Sequence, residues 1–100
     1  SLEQFKVMKS TSMFINVGRG ETVSEDDLYD ALTSEEIGCA ALDVTDQEPL
    51  DKNSPLWELK NCFITPHDSA WGPRAPERAV ELFLLNLERY KRGEKLHNLV

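Results

Sequence analysis

Gly38-Cys39-Ala40-Ala41-Leu42-Asp43-Val44 (GCAALDV) decides the fold class. The run carries no charge before Asp43, and a strand that is apolar on both alternating faces belongs in a parallel sheet sandwiched by helices. Upstream, Met13 to Val17 (MFINV) is rich in strand formers and is followed at once by Gly18-Arg19-Gly20, where glycine permits tight turning and close backbone approach. Downstream, Cys62 to Thr65 reads as a third strand, stopped by Pro66, which lacks an N–H and has a fixed φ.

Helices fill the spaces between these runs. Ser1 and Gln4 have capping-box spacing, and Leu2, Phe5 and Met8 recur at a helical interval, so a short helix or the end of one is expected over Leu2 to Lys9. Ser24 caps a helix over Glu25 to Leu32, with an acidic first turn and an apolar face of Leu28, Ala31 and Leu32. Thr45 to Lys60 contains Pro49 and Pro55 and no sustained period, which predicts a long loop with one helical turn near Leu56-Trp57. Long loops at strand ends often carry function. From Pro76 to Lys91, Val80, Phe83, Leu84 and Leu87 form one stripe and Leu82 and Leu85 widen it, giving a helix too apolar for a single partner.

The order α-β-α-β-loop-β-α predicts an α/β fold with three parallel strands, half of a doubly wound, Rossmann-like sheet with flanking helices. The order opens without a first strand, and the last helix has more apolar surface than three short strands cover. The expectation is a piece of a longer polypeptide or close pairing with a second copy, as a homodimer.

Composition narrows the function. The 100 residues hold 18 acidic against 11 basic side chains, a net charge of -7, with no Lys/Arg cluster to follow a phosphate backbone, which argues against nucleic acid as a partner. No apolar run approaches the roughly 20 residues that cross a bilayer, and Ser1 to Ser10 has no signal pattern, so the expected setting is soluble and cytoplasmic, away from membranes. Cys39 and Cys62 lack CxxC spacing and read as reduced thiols in strands, not as disulfide or metal ligands; no metal site is expected.

Arg19, Glu48 and His67 each lie just beyond one of the three strands. In an open parallel sheet the carboxyl ends of the strands share one edge, so residues distant in sequence converge there. Arg19 offers a planar, permanently charged fork that grips a carboxylate and an adjacent carbonyl oxygen. His67 can donate and accept a proton near neutral pH, and a carboxylate such as Glu48 stabilises its imidazolium.

Ile15-Asn16-Val17-Gly18-Arg19-Gly20, Ala41-Leu42-Asp43-Val44 with Glu48-Pro49-Leu50, Ser54-Pro55-Leu56-Trp57 and Thr65-Pro66-His67 resemble, in this order, the signature blocks of the D-isomer-specific 2-hydroxyacid dehydrogenases. The resemblance extends from about Phe5 to Val100. It implies that Arg19 holds the carboxylate and keto oxygen of a 2-oxo or 2-hydroxy acid substrate, that His67 is the acid/base and that Glu48 supports it. It also implies that Asp43 faces the nicotinamide end of a bound NAD or NADP, with Val17, Gly18, Arg19, His67, Ser69 and Ala70 lining the cofactor. The expected domain is residues 1–100 as the C-terminal half of a dinucleotide-binding domain, with 76–92 as its closing helix. The family's glycine-rich fingerprint and the residue that selects between the two dinucleotides belong to an upstream βαβ unit, and Gly18-x-Gly20 does not substitute for it. The 100 residues alone are therefore expected to be inactive. Some family members act as NAD-sensing transcriptional corepressors that keep the same three residues, so the resemblance leaves a corepressor-like binding protein as the alternative to an enzyme. A formate-dehydrogenase relation is weakened by Glu48, since a glutamine usually accompanies the histidine there. Asp68 is expected to face solvent, and Trp71 to wall the site or fill an interface.

Overall fold

Three short strands lie parallel in the order β1-β2-β3: Met13–Asn16, Cys39–Leu42 and Cys62–Ile64. Met13 pairs with Cys39 and Asn16 with Leu42, and Ala40 pairs with Cys62. This is a computed structural model, and it describes residues 1–99. The chain divides into two compact units, Ser1–Ser69 and Ala70–Val100.

The first unit holds the sheet, helix α1 (Leu2–Lys6), helix α2 (Glu25–Thr33) and two single 3-10 turns, Gly20–Thr22 and Pro55–Glu58. Ser24 caps α2 as expected, its Oγ accepting from Asp27 N at 3.2 Å. Helix α1 stops at Lys6 rather than Lys9 because the following bonds tighten to three residues, with Met8 N donating to Phe5 O at 3.0 Å. The strands are shorter than their apolar runs. At β1 the Asn16 side chain takes over from the ladder by accepting from Gly18 N, so Val17 already belongs to the turn. Ladder-like bonds nonetheless continue one step further, from Asp43 N to Asn16 O and from Thr65 N to Leu42 O, each 2.9 Å.

One face of the sheet carries the core. Phe5, Leu28, Ala31, Leu32, Ile37, Ala40, Leu42 and Leu56 are buried together, and the Phe14 ring meets Phe5 edge-on at 5.3 Å. Burying a leucine or isoleucine side chain in full contributes about 1.5–3 kcal/mol. The other face differs from the expectation of a sheet covered on both sides: Met13, Ile15 and Phe63 are exposed. The helices of this unit pack with Phe14, Ala40, Leu42 and Ile64, which point the opposite way along the pleat. Cys39 and Cys62 are free thiols.

The second unit is helix α3, Ala75–Lys91, with the chain that folds back from it. Gly93 takes the left-handed conformation (φ 68°) that ends the helix, and Glu94 N donates to Arg89 O at 2.9 Å, which is Schellman geometry. Asn86 then exchanges two bonds with the His97 backbone, at 2.8 and 3.1 Å. Val80, Phe83, Leu84, Leu85 and Leu87 are all exposed, in keeping with the expectation of a helix with unusually many apolar positions.

Candidate active site

Arg19, Glu48 and His67 follow β1, β2 and β3 and stand at the carboxyl edge of the sheet. His67 Nδ1 lies 2.7 Å from Glu48 Oε2. Glu48 Oε1 also accepts from Thr45 N at 3.3 Å. The hydrogen bond from His67, with that from Thr45, holds the Glu48 carboxyl below its ordinary value. An ionised carboxylate only accepts, so Nδ1 carries the proton that faces it and Nε2 is left to exchange a proton with a ligand. His67 also has a left-handed backbone (φ 55°), rare for a residue with a Cβ.

A cleft of about 490 Å³ opens beside this couple, lined by Asp43, Thr45, Glu48, His67 and the apolar side chains of Leu50, Trp57 and Ile64. Trp57 is steadied by its indole N–H, which donates to Asp51 O at 3.0 Å. A second hollow of about 300 Å³ is lined by Arg19, Gly20, Glu21, Thr45, Asp46 and Glu48. Glu48 thus borders both spaces, with His67 in one and Arg19 in the other. Arg19 is exposed, and its Nη1 donates to Gly18 O at 2.7 Å.

The close approach of the two loops depends on Gly20. A Cβ there would stand 2.0 Å from Thr45 backbone atoms, a distance no side chain tolerates. Buried Asn16, 6% exposed, ties down the Arg19 turn: its Nδ2 donates to Arg19 O at 2.9 Å and to Thr22 Oγ1 at 3.2 Å, and its Oδ1 accepts from Gly18 N. The sequence reading gave no role to Asn16 or Thr65; for Asn16 the available signal was a polar residue where the strand's core-facing alternation calls for an apolar one.

Asp43, 5% exposed, has both oxygens committed. Oδ1 accepts from Thr65 Oγ1 at 2.6 Å and from Asp68 N at 3.0 Å, and Oδ2 accepts from Ser69 N at 2.9 Å. Hydrogen bonding from Ser69 first, then from Thr65, holds its acid group far below the usual carboxylate range. Ser69 thus meets Asp43 through its backbone, and Asp68 projects its exposed side chain while its N–H bonds inward. Ala70 and Trp71, the latter 76% exposed, belong to the second unit.

For a dinucleotide the residues fit one end only. Val17 is 58% exposed and is followed by side-chain-free Gly18, an apolar ledge at the end of β1 against which a planar ring can lie. The helix that follows offers no phosphate cradle, since its first turn holds Glu25, Asp26 and Asp27, which repel an anion.

Three parallel strands with flanking helices form a Rossmann-like arrangement, and its carboxyl edge carries a histidine–carboxylate pair and an exposed guanidinium. Residues 1–69 match the family model described as D-isomer specific 2-hydroxyacid dehydrogenase, NAD binding domain, and the chain belongs to that family. It is 52% identical over 96 residues to the mouse glyoxylate reductase/hydroxypyruvate reductase, covering 96% of this chain and 29% of that protein. Among solved structures, a D-isomer specific 2-hydroxyacid dehydrogenase from Xanthobacter autotrophicus Py2 in complex with NADPH and MES superposes with a TM-score of 0.85 at 37% identity, covering 100% of this chain and 40% of that one. The NADPH-dependent glyoxylate/hydroxypyruvate reductase of Sinorhizobium meliloti, in complex with NADP and sulfate, gives 0.83 at 30% identity, covering 100% and 33%. The chain spans about three-tenths of the length of the curated relatives it matches. No helix among the described residues is long and apolar enough to cross a membrane.

Proposed function

We propose that these residues supply the acid–base couple and the substrate clamp of an NAD(P)-dependent 2-hydroxyacid dehydrogenase acting on a small 2-oxo acid of the glyoxylate or hydroxypyruvate class. The observation that carries the reading is the 2.7 Å contact between His67 Nδ1 and Glu48 Oε2 at the sheet's carboxyl edge. The names of the mouse and Sinorhizobium relatives support the substrate class. In this reading residues 1–100 are the C-terminal half of a dinucleotide-binding domain in a longer cytoplasmic polypeptide that forms a homodimer, with 76–92 as the closing helix.

The bound dinucleotide supplies or accepts the hydride. Arg19 releases Gly18 O and grips the substrate carboxylate with its fork. When the keto carbon is reduced, negative charge grows on its oxygen, and protonated His67 stabilises it and delivers the Nε2 proton. Glu48 holds Nδ1–H and so fixes both the ring orientation and the nitrogen that faces substrate. Reduction therefore consumes one hydride and one proton per 2-oxo acid and yields the 2-hydroxy acid; oxidation runs the same steps in reverse.

The test is hydroxypyruvate and glyoxylate reduction by the full-length polypeptide, followed at the reduced-nicotinamide absorbance band. His67→Ala lowers turnover at saturating substrate by about 10²-fold or more, the scale of losing a general acid. Turnover near the parental value would refute the assignment.

A further inference from the structure

His67 holds a backbone conformation that a residue with a Cβ keeps only when its surroundings impose it. What imposes it is visible on both sides of the residue. Two positions earlier, Thr65 N donates to Leu42 O at 2.9 Å and Thr65 Oγ1 donates to Asp43 Oδ1 at 2.6 Å. In the two positions after it, Asp68 N and Ser69 N donate to the same carboxylate at 3.0 and 2.9 Å. One buried side chain just past the end of β2 thus spans the whole turn, and these bonds reach 22, 25 and 26 residues along the chain. Buried and ionised, Asp43 depends on these donors; removing one leaves a charge short of a partner.

We propose that Thr65 is a positioning residue for His67: its hydroxyl completes the donor set of Asp43, and Asp43 in turn fixes the left-handed turn that aims the imidazole at Glu48. This rests on the acid–base reading of His67 given above. Thr65 does not need to touch the reacting atoms for this role. Once the hydroxyl is lost, the turn relaxes toward conformations in which Nδ1 no longer meets Glu48 Oε2, and the fraction of enzyme with Nε2 poised for proton transfer falls. The loss belongs to the chemical step, so it is read in kcat, while substrate and cofactor still dock.

Thr65→Val keeps the shape of the side chain and its preference for extended backbone while deleting the donor. In the full-length polypeptide reducing hydroxypyruvate, Thr65→Val is expected to lower kcat about tenfold, the scale of one hydrogen bond to a charged group. KM and the dissociation constant for the reduced dinucleotide should stay within about twofold, and Thr65→Ser, which restores the hydroxyl, should recover most of kcat. Thr65→Ala is measured alongside, so that a packing failure specific to valine leaves the comparison intact. Unchanged kcat in Thr65→Val and Thr65→Ala overturns the proposal, as does a loss that serine fails to rescue or one that appears in cofactor affinity instead. His67→Ala in the same assay separates the two levels. If it retains turnover, the acid–base reading itself falls; if it loses turnover while Thr65→Val keeps it, only the positioning role falls.

Discussion

Gly20→Ala tests whether the approach of two backbones sets the active geometry. The added Cβ would lie 2.0 Å from the carbonyl carbon and oxygen of Thr45 and 2.4 Å from Asp46 N. Ordinary contact begins at 3.4 Å, so one backbone must withdraw from the other by about 1.4 Å, the difference between 3.4 and 2.0 Å. Both opposing groups are main chain, and neither can rotate aside as a side chain would. Arg19 precedes the substitution and Glu48 follows Thr45 by three residues, so the retreat widens the hollow that both line. A misplacement of about 1 Å can reduce an enzyme's rate by about 10²-fold, and overpacking of this kind typically destabilises by about 1–3 kcal/mol. The expected result in the full-length polypeptide is a fall in kcat/KM for hydroxypyruvate of about two orders of magnitude, with a lowered melting temperature. Gly72→Ala is the matched control, because a Cβ there meets nothing within 4 Å and the backbone is not left-handed. Parental kcat/KM in Gly20→Ala, or equal losses in both variants, would refute the reasoning.

Two further outcomes follow from the site's charges. Arg19→Lys should raise KM and lower kcat for 2-oxo acids while leaving reduced-dinucleotide binding, measured by fluorescence titration, little changed, because an ammonium keeps the charge but not the fork; a collapse of cofactor affinity would make Arg19 a cofactor anchor instead. Asp43 carries an acid group held far below its ordinary range, so its stabilising effect is complete above the unfolded carboxyl value of about 4 and is lost as pH falls below it. Asp43→Asn should therefore lower the melting temperature at pH 7 and also flatten its decline between about pH 5 and pH 3; a variant that melts with the parental acid slope would show that other carboxylates carry that decline.

The parallel sheet was legible because Met13 to Val17, Gly38 to Val44 and Cys62 to Thr65 are strand-forming runs separated by turn and helix signals, and the three strands lie in sequence order. The placement of Arg19, Glu48 and His67 followed from that order, since residues after parallel strands meet at one edge. The hydrogen bonds between loops were not legible. Asp43 accepts from the Thr65 hydroxyl and from the backbone of Asp68 and Ser69, and sequence spacing carries no record of partners 22 to 26 residues away. Gly20 was read for tight turning and close approach, but that its neighbour is the Thr45 main chain could only come from three-dimensional packing. The uncovered sheet face escaped for a related reason: an apolar run such as GCAALDV reports that a strand can be buried on both faces, whereas Ile15 and Phe63 stay exposed because the unit's helices all pack against the other face.

What holds the edge together can be decided by comparing burial. The His67–Glu48 pair is nearly half exposed on the histidine side and over a third exposed on the glutamate side, and ion pairs in contact with water add little to stability. They cannot be what fixes the turns that carry them. Asn16 and Asp43 are over nine-tenths buried at the ends of β1 and β2, and each commits its hydrogen-bonding capacity to a turn at the sheet's carboxyl edge: Asn16 to that of Arg19, Asp43 to that of His67. Buried polar groups are costly unless satisfied, so any movement of either turn would strand them. The penalty for moving is thereby placed in the interior while the Arg19 and His67 side chains stay at the surface. Arg19 and His67 keep their side chains open to ligand on backbones that the sheet itself holds, which is how exposed residues at a loop edge can retain a geometry that their own contacts are too weak to maintain.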